Sequence, residues 1–288
     1  MEINGKTSVC GLIGNPVEHT LSPVIHNALA EEFGHNLVYV PFLVENVKEA
    51  VLGADALHIL GLNVTVPHKS AVIPYLQDID PLAKAIGAVN TLVKTPGGYK
   101  GYNTDMSGLL RAMRSEGITL ANRPVVILGA GGAARAVAFM CGFEEVTQIY
   151  MLNRSLDKAQ AVAGEVNGYF GKELVRPMAL GAYDELPNEK LLVIQSTSVG
   201  LSPNDDDAVI TDEAFYERVA IGFDLIYKPF ETRFMKLCKE RGAQAYNGLK
   251  MLLYQGIIAY EKWMEISVSD ETSMMIYEKM KKAMGIDA

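Results

Sequence analysis

The sequence predicts an α/β fold divided into two domains. The chain has 288 residues, which exceeds the usual size of a single hydrophobic core, so two cores are expected. Short apolar runs alternate with helical stretches along most of the chain, as in proteins built from βα units. Apolar residues make up 49% and charged residues 21% of the total, which is ordinary for a globular protein and excludes a disordered one.

The first hundred residues predict a mostly parallel sheet with helices between its strands. The predicted elements are a strand at 8–14, a helix at 23–33, a strand at 37–42, a helix at 47–57 and a strand at 61–66. Two further runs at 91–94 and 99–102, separated by the turn residues 96–98, predict a hairpin at the edge of that sheet. A helix at 104–116 follows, and Gly117 ends it.

A second series of elements begins at Pro124. Its strands are continuous apolar runs, which suit a parallel sheet covered on both faces. These strands are predicted at 125–128, 149–152, 191–194 and 221–225. Helices are predicted after the first of them, ending near Gly142, then at 156–167, at 232–242, and from Leu249 onward.

A glycine-rich turn follows the strand at 125–128. Gly129, Gly131 and Ala134 occupy the G-x-G-x-x-G/A positions at the start of a helix. In this context the first glycine makes the tight turn, the second lets a pyrophosphate approach, and Ala134 lets helix and strand pack closely. The free N–H groups of the helix N-terminus bind the anion. The turn therefore predicts a dinucleotide site, the alternative being a turn that binds nothing.

The residues after the next strand indicate which dinucleotide is bound. NAD-binding domains usually carry an acidic residue there, which bonds the ribose 2′-hydroxyl. This chain has Asn153-Arg154-Ser155 instead, with Lys158 one helical turn further on. A guanidinium can pair bidentately with a 2′-phosphate, so NADP is favoured over NAD. The alternative is that Arg154 is only a solvated charge at the start of a helix.

These observations predict a Rossmann-type NADP-binding domain at 106–248. It interrupts an N-terminal α/β domain, formed by 1–105 with 249–288, which we expect to bind substrate, with a cleft between the two.

The charge and composition exclude several other classes. A net charge of -8 opposes nucleic-acid binding. No apolar run reaches membrane-spanning length, and the start lacks the pattern of a secretory signal. The three cysteines and the histidines show no zinc-type spacing, so we expect no metal, and buried reduced thiols in a cytoplasmic protein. The thiols in question are Cys10, Cys141 and Cys238.

Polar residues collect at two places in the N-terminal domain. Thr20 and Ser22 bring two hydroxyls to the start of a helix, a position that suits a carboxylate ligand. The alternative is that Ser22 only caps the helix. Asn63, Thr65 and Lys69 lie at or after the end of a strand, where open α/β sheets bind ligands.

Together these segments resemble the shikimate dehydrogenase family, whose patterns include G-x-P-x-x-H-S-x-S-P, N-V-T-x-P-x-K, G-A-x-N-T and N-T-D. The last three are complete at 63–69, 87–91 and 103–105, and the first occurs at 14–23 with Thr20 in place of its first serine. Further segments also look like family motifs: 153–155, 197–200, 224–229, 247–248 and 254–256. The resemblance spans residues 10 to 260.

The resemblance implies a role for each matching residue. Lys69 and Asp105 correspond to the catalytic pair. The residues implied to hold the substrate are Thr20, Ser22, Thr65, Asn90, Tyr227 and Gln255. Those implied to line the cofactor site are Gly129, Ala130, Gly131, Gly132, Ala133, Asn153, Arg154, Ser155, Lys158, Thr197, Val199, Ile226 and Gly248. Gln255 could instead be a core glutamine bonded to the backbone.

The family's reaction is the reversible reduction of 3-dehydroshikimate to shikimate by NADPH. Hydride transfer to or from an alcohol carbon requires a proton at the oxygen, which the cofactor cannot carry, so a general acid/base must stand there. The implied partner is a small-molecule substrate, and the implied assembly is a monomer or homodimer.

Two rival functions remain at this stage. Thr20 keeps a hydroxyl, but its extra methyl narrows the pocket, which leaves a quinate or dual quinate/shikimate dehydrogenase as the alternative. A non-catalytic dinucleotide-sensing regulator on the same fold is the other rival. Such a regulator has no need of Lys69 and Asp105 together.

Overall fold

The structure is a computed structural model that describes residues 3–286, and within that range the chain forms two compact units. The first unit contains the described residues up to Ala112 together with those from Lys250 onward. The second unit is Met113–Leu249. Both are α/β, which confirms the predicted fold class. The boundary expected after residue 105 lies in the first turn of a continuous helix, Thr104–Ser115.

The first unit is built on a sheet whose strands lie in the order β2-β1-β3-β5-β6-β4. Its elements are β1 Ser8–Gly14, α1 Ser22–Glu32, β2 Leu37–Leu43, α2 Val47–Ala56, β3 Gly61–Val64, α3 His68–Ala71, β4 Asp78–Ile79, α4 Pro81–Ile86, β5 Thr91–Thr95, β6 Gly98–Tyr102 and α5 Thr104–Ser115. Strand β1 pairs in parallel with β2 and β3, and β4 pairs in parallel with β6. Only β5 runs against its neighbours, so the sheet is mostly parallel as predicted.

The short helices α3 and α4 were not predicted, and two features of the sheet in this unit also differ from the sequence prediction. The hairpin β5–β6 does not form the edge, because the two-residue strand β4 pairs outside it. So short a strand has no periodicity to detect, and only its pairing with β6 defines it. In addition, β3 ends at Val64, two residues earlier than predicted.

The C-terminal segment returns to the first unit as two helices, α10 Leu249–Met264 and α11 Asp270–Ala283. Close approaches fix α10 against the sheet and against α5. A Cβ on Gly61 would lie 2.0 Å from the Trp263 indole nitrogen, and a Cβ on Gly108 would lie 2.6 Å from the backbone nitrogen of Gln255. Glycine is therefore required where β3 meets Trp263 and where α5 meets Gln255.

The second unit is a parallel sheet with the strand order β12-β11-β10-β7-β8-β9. Its elements are β7 Pro124–Leu128, α6 Gly132–Phe143, β8 Gln148–Asn153, α7 Leu156–Phe170, β9 Val175–Ala179, β10 Leu191–Gln195, α8 Glu213–Tyr216, β11 Val219–Asp224, α9 Arg233–Glu240 and β12 Gln244–Tyr246. The strand order reverses between β7 and β10, which makes this a Rossmann-type sheet with its switch point there.

The central strands of the second unit are covered on both faces, as their apolar runs predict. Four consecutive residues of β7, from Val125 to Leu128, are 0% exposed. The three cysteines are free and buried, and burial raises the pKa of each thiol to about 12. Among the described helices, none has the length and apolarity needed to span a membrane.

Candidate active site

The first unit brings Lys69 and Asp105 together. The Lys69 Nζ donates to the Asp105 Oδ2 at 2.6 Å, and the two side chains are 34% and 19% exposed. The pair is thus partly withdrawn from water, and the Lys69 side chain remains partly accessible. Both resemblance-implied catalytic residues, 36 positions apart in the chain, form one ion pair.

Local structure fixes both partners of this pair. Lys69 lies on the one-turn helix α3 rather than on the strand before it, and its backbone carbonyl accepts the Val89 N–H at 2.8 Å. The preceding His68 donates from Nε2 to the Val44 carbonyl at 2.8 Å and so holds α3 against the chain after β2. Asp105 lies in the first turn of α5, where the helix dipole favours a negative charge.

The hydroxyl pair predicted as a carboxylate site lies at the start of α1. The N-cap residue is Leu21, without a side-chain cap, and Ser22 is the first helical residue. The alternative that Ser22 only caps the helix is therefore wrong. Instead the Thr20 Oγ1 donates to the Ser22 Oγ at 3.0 Å and accepts the Ser22 N–H at 3.2 Å. The two hydroxyls form one polar group, as the sequence predicts.

Asn90 and Thr65 flank the end of β3. Asn90 is 2% exposed, and its Oδ1 accepts the backbone N–H of Thr104 at 2.7 Å. Thr104 directly precedes Asp105, so this bond ties Asn90 to the helix that carries the carboxylate. Thr65 is half-buried, and its N–H donates to the Ile13 carbonyl at 2.9 Å.

Gln255 lies on α10 where that helix crosses α5. Its side chain is buried and donates from Nε2 to the Leu252 carbonyl at 3.0 Å. That bond is the one expected of a core glutamine bonded to the backbone. A role in holding the substrate stays a prediction for this residue.

Sequence reasoning missed most of the polar network beneath these residues. Asn63 is 4% exposed, and its Oδ1 accepts the Tyr39 hydroxyl at 2.7 Å and lies 3.1 Å from the His26 Nε2. Its Nδ2 donates to the Thr91 Oγ1 at 3.2 Å and to the Asn90 carbonyl at 3.3 Å. The only signal in the sequence is a polar residue within an apolar strand, which does not identify its partners.

His26 is a fully buried residue of α1. Its ring stacks on Tyr39 with centroids 4.2 Å apart. Because Asn63 Oδ1 accepts, Nε2 carries the proton, and Nδ1 has no hydrogen-bond partner among the described residues. Burial lowers the pKa of His26 to about 3, so the ring is neutral at ordinary pH.

The second unit contains the predicted glycine turn at the end of β7. Gly129 has a φ of +113°, and a Cβ there would lie 2.8 Å from the Thr197 Cγ2. Apart from the adjacent backbone, no atom lies within 4 Å of where a Cβ on Gly131 or Gly132 would stand, and α6 begins at Gly132 with Gly131 as an N-cap that has no side chain to cap it. Ala134, facing the sheet, is 0% exposed. An open, uncapped helix start of this kind fits a dinucleotide pyrophosphate.

The end of β8 presents two exposed cations. Arg154 and Lys158 are exposed, and neither makes an ion pair within the described range. Ser155 is the N-cap of α7, and its side chain makes no capping bond. Asn153 orders the turn by donating from Nδ2 to the Ser155 carbonyl at 2.8 Å. Two cations and an uncapped helix start suit a phosphate, although Asp157 in the same turn opposes it.

Thr197 and Val199 follow β10, and a buried glutamine fixes both. The Gln195 Oε1 accepts the Thr197 N–H, and its Nε2 donates to the Val199 carbonyl at 3.2 Å. The same Nε2 lies 3.3 Å from the Asp224 Oδ1, which also accepts the Ile226 N–H at 3.0 Å. Sequence reasoning did not assign this role to Gln195 or Asp224.

Asp224 is fully buried at the end of β11. Its Oδ2 accepts the Thr232 hydroxyl at 2.7 Å. Burial raises the pKa of this carboxyl to about 7, against the opposing effect of its three donors. The carboxyl and Gln195 together position three predicted cofactor residues, Thr197, Val199 and Ile226.

Gly248 and Tyr227 complete the predicted set in the second unit. A Cβ on Gly248 would lie 2.1 Å from the Leu225 carbonyl oxygen, and its N–H donates to the Ile226 carbonyl at 2.9 Å. Tyr227 is half-buried, and burial raises the pKa of its hydroxyl. It is the one predicted substrate residue that does not belong to the first unit.

Metal-binding side chains do not cluster in residues 3–286, where no group of three or more His, Cys, Asp or Glu residues is placed to hold an ion. The absence of a metal cofactor stays a prediction.

Comparisons with known proteins show which proteins this chain is similar to. The family model of the shikimate dehydrogenase substrate binding domain matches residues 12–92. A shikimate dehydrogenase (NADP(+)) of Desulforamulus reducens is 41% identical over 278 residues, which cover 91% of each chain. A crystal structure of shikimate dehydrogenase in complex with NADP+ is 39% identical, with a TM-score of 0.86 over 98% of this chain and 97% of that one.

A second solved structure extends the match. Shikimate 5-dehydrogenase from Listeria monocytogenes, in complex with shikimate and NAD, is 29% identical, with a TM-score of 0.88 over 99% of this chain and 98% of that one.

Proposed function

Because this chain belongs to the shikimate dehydrogenase family, we propose that it catalyses the reversible NADPH-dependent reduction of 3-dehydroshikimate to shikimate, a step of aromatic amino-acid (chorismate) biosynthesis. The observation that carries this proposal is the 2.6 Å pairing of Lys69 with Asp105. A dinucleotide-sensing regulator has no need of such a pair.

Lys69 supplies the proton chemistry. The nicotinamide, when bound, supplies or accepts the hydride, and the protein must move the proton at the substrate oxygen. Lys69 Nζ gives that proton to the developing alkoxide during reduction and takes it back during oxidation. Asp105 accepts a hydrogen bond from Nζ and so fixes the direction in which the remaining N–H bonds point.

The other polar residues of the first unit hold the ring. Thr20 and Ser22 bind the substrate carboxylate through their paired hydroxyls and the N–H groups at the start of α1. Thr65, Asn90 and Gln255 bond the ring hydroxyls. Tyr227, on the second unit, contributes a further hydroxyl to the substrate.

The second unit holds the cofactor. The turn from Gly129 to Ala133, at the N-terminus of α6, would hold the pyrophosphate. Asn153, Arg154, Ser155 and Lys158 hold the adenosine end. Thr197, Val199, Ile226 and Gly248 would line the site of the nicotinamide end.

Arg154 and Lys158 favour NADP because they offer two unpaired cations for the 2′-phosphate. The NADP(+) dependence in the names of the relatives supports the same cofactor. We also propose that the protein is cytoplasmic, that it acts as a monomer or homodimer, and that it requires neither a metal nor a macromolecular ligand.

The test is oxidation of shikimate by the purified chain, followed through the appearance of NADPH, for the wild type and for Lys69→Met. The wild type turns over shikimate with NADP+. General acid/base transfer is worth about 10²–10⁴ in rate, so Lys69→Met lowers kcat by about that factor while KM changes far less.

Lys94→Met is the matched control, because Lys94 also pairs with an aspartate, Asp55, in the same unit. We expect it to keep the wild-type kcat. A wild type that does not oxidise shikimate would contradict the proposed function. A Lys69→Met variant with near-normal kcat would contradict the role of Lys69.

A further inference from the structure

The side chain of Asn90 is held with a defined orientation. Its Oδ1 lies 2.7 Å from the backbone nitrogen of Thr104, a group that can only donate, so the oxygen of the amide must face inward. The Thr91 and Thr104 hydroxyls lie 3.0 and 3.2 Å from the same oxygen. The Asn90 Nδ2 therefore points away from these groups, and within residues 3–286 it has no acceptor and is not a buried orphan.

Asn90 does not fix this orientation alone. Thr91, which is 0% exposed, donates to the Asn90 Oδ1 and accepts from the Asn63 Nδ2 at 3.2 Å. Asn63 and Thr91 are register partners on the antiparallel strands β3 and β5, so their side chains stand directly opposite each other on one face. All four hydrogen-bonding positions of the Asn63 amide are used.

Asn63 itself is held from the opposite side. Its Oδ1 accepts the Tyr39 hydroxyl and the His26 Nε2–H. The Asn63 amide therefore keeps this orientation, because its Nδ2 already donates to two acceptors on the other side. The chain of bonds from Tyr39 through Asn63 and Thr91 thus leads to the inward oxygen of Asn90.

We propose that Asn63 and Thr91 are positioning residues that never touch the substrate but hold Asn90 with its amide N–H groups turned outward as donors to a substrate ring oxygen. The proposal rests on the proposed function, since it takes Asn90 as a substrate contact. Asn90 acts as a donor to the substrate because the buried side chains of Asn63 and Thr91 hold its oxygen inward. An oxygen of a hydroxyl or ketone is the ligand that such N–H groups recognise.

The test is Thr91→Val, which keeps the β-branched shape but removes the hydroxyl between Asn63 and Asn90. Losing one hydrogen bond, with its partners left unpaired in a buried site, corresponds to about a tenfold rise in KM for shikimate. The KM for NADP+ should not change. Thr91→Ser restores the hydroxyl, so we expect it to return KM close to the wild-type value.

Ser273→Ala is the control for a purely structural effect. Ser273 is also 0% exposed, and its hydroxyl donates to a backbone carbonyl, that of Ser269, at 2.8 Å. Its loss should lower the midpoint of thermal unfolding without raising KM for shikimate.

Tyr39→Phe is the second variant in case Thr91→Val does not fold. It removes the donor to Asn63, together with the bond of the same hydroxyl to Ser22, but keeps the ring that stacks on His26. We expect it also to raise KM for shikimate selectively.

If folded Thr91→Val and Tyr39→Phe both keep the wild-type KM for shikimate, the positioning role is wrong while the proposed function stands. If the wild type does not turn over shikimate, the proposed function fails first. Shikimate binding measured by calorimetry then decides the positioning role separately: equal affinity in wild type and Thr91→Val overturns it.

Discussion

The two units hold their polar side chains in different ways. In the first unit the buried groups beneath the candidate substrate residues are neutral: the amide of Asn63, hydroxyls, and the uncharged ring of His26. In the second unit the buried group beneath the candidate cofactor residues is a carboxyl, Asp224, which accepts three hydrogen bonds. Asn63 and Asp224 both lie near the carboxyl ends of central strands, where open α/β sheets bind ligands.

This difference shows two ways in which buried groups can orient the residues that line a binding site. A neutral network costs less to bury, and its orientation depends on which atoms donate and which accept. A carboxyl can only accept when ionised, so it gathers N–H and O–H groups from several loops, but desolvation opposes its charge. We therefore expect the two units to differ in ligand specificity and in their response to pH.

The largest expected effect in this comparison concerns the nucleotide. Arg154→Gln removes a guanidinium that we propose pairs with the 2′-phosphate. Hydrogen bonds to charged groups contribute about 1.5–3 kcal/mol, so KM for NADP+ should rise about 10- to 150-fold. The KM for shikimate should stay at its wild-type value, because its candidate contacts lie mainly in the other unit. Steady-state kinetics with each substrate varied in turn measures both constants.

Arg176→Gln serves as the control for Arg154, since Arg176 is an exposed arginine of the same unit that pairs with Glu185. It should leave both KM values unchanged. Unchanged affinity for NADP+ in Arg154→Gln would show that Arg154 is only a solvated charge at the start of α7.

A smaller effect is expected on the pH dependence of stability, with opposite signs in the two units. Between pH 6.5 and about 3 the unfolded chain protonates His26 but the folded chain does not. Its contribution to stability is therefore lost as the pH falls, by about 1.4 kcal/mol per pH unit. Between pH 3.8 and about 7 the folded chain holds a proton on Asp224 that the unfolded chain has released. Its contribution is therefore lost as the pH rises.

Urea unfolding of the wild type, His26→Gln and Asp224→Asn at about pH 5 and about pH 7 separates these contributions. His26→Gln should lose less stability than the wild type on acidification, and Asp224→Asn should lose more. If both variants follow the wild-type slope, the two groups do not titrate as their burial indicates.

Much of the fold follows from the sequence because long periodic segments determine it. The four predicted strands of the second unit all form, and the glycine turn adopts the positive φ that the pattern requires at Gly129. The short elements were missed, namely the strands β4, β9 and β12 and the helices α3, α4 and α8. Strands and helices of two to six residues have too few positions to show a period, and packing and pairing with neighbours decide them.

The site residues likewise fall into those that the sequence could predict and those that it could not. Lys69 and Asp105 belong to motifs that the sequence displays. Arg154 can be recognised because it stands where NAD-binding domains usually carry an acidic residue. The bond between Asn63 and Thr91 depends on the register of β3 against β5, and a shift of one residue would turn the two side chains to opposite faces. No local pattern encodes that register, so the residues behind the site could not be predicted.

Thr20, whose hydroxyl donates to Ser22, is the proposed carboxylate contact that bears on the choice between shikimate and quinate. The decisive measurement is kcat/KM of the wild type for shikimate and for quinate, each with NADP+ and with NAD+. We expect the highest value for shikimate with NADP+. A higher value for quinate with NAD+ would contradict both the substrate and the cofactor proposed for this chain.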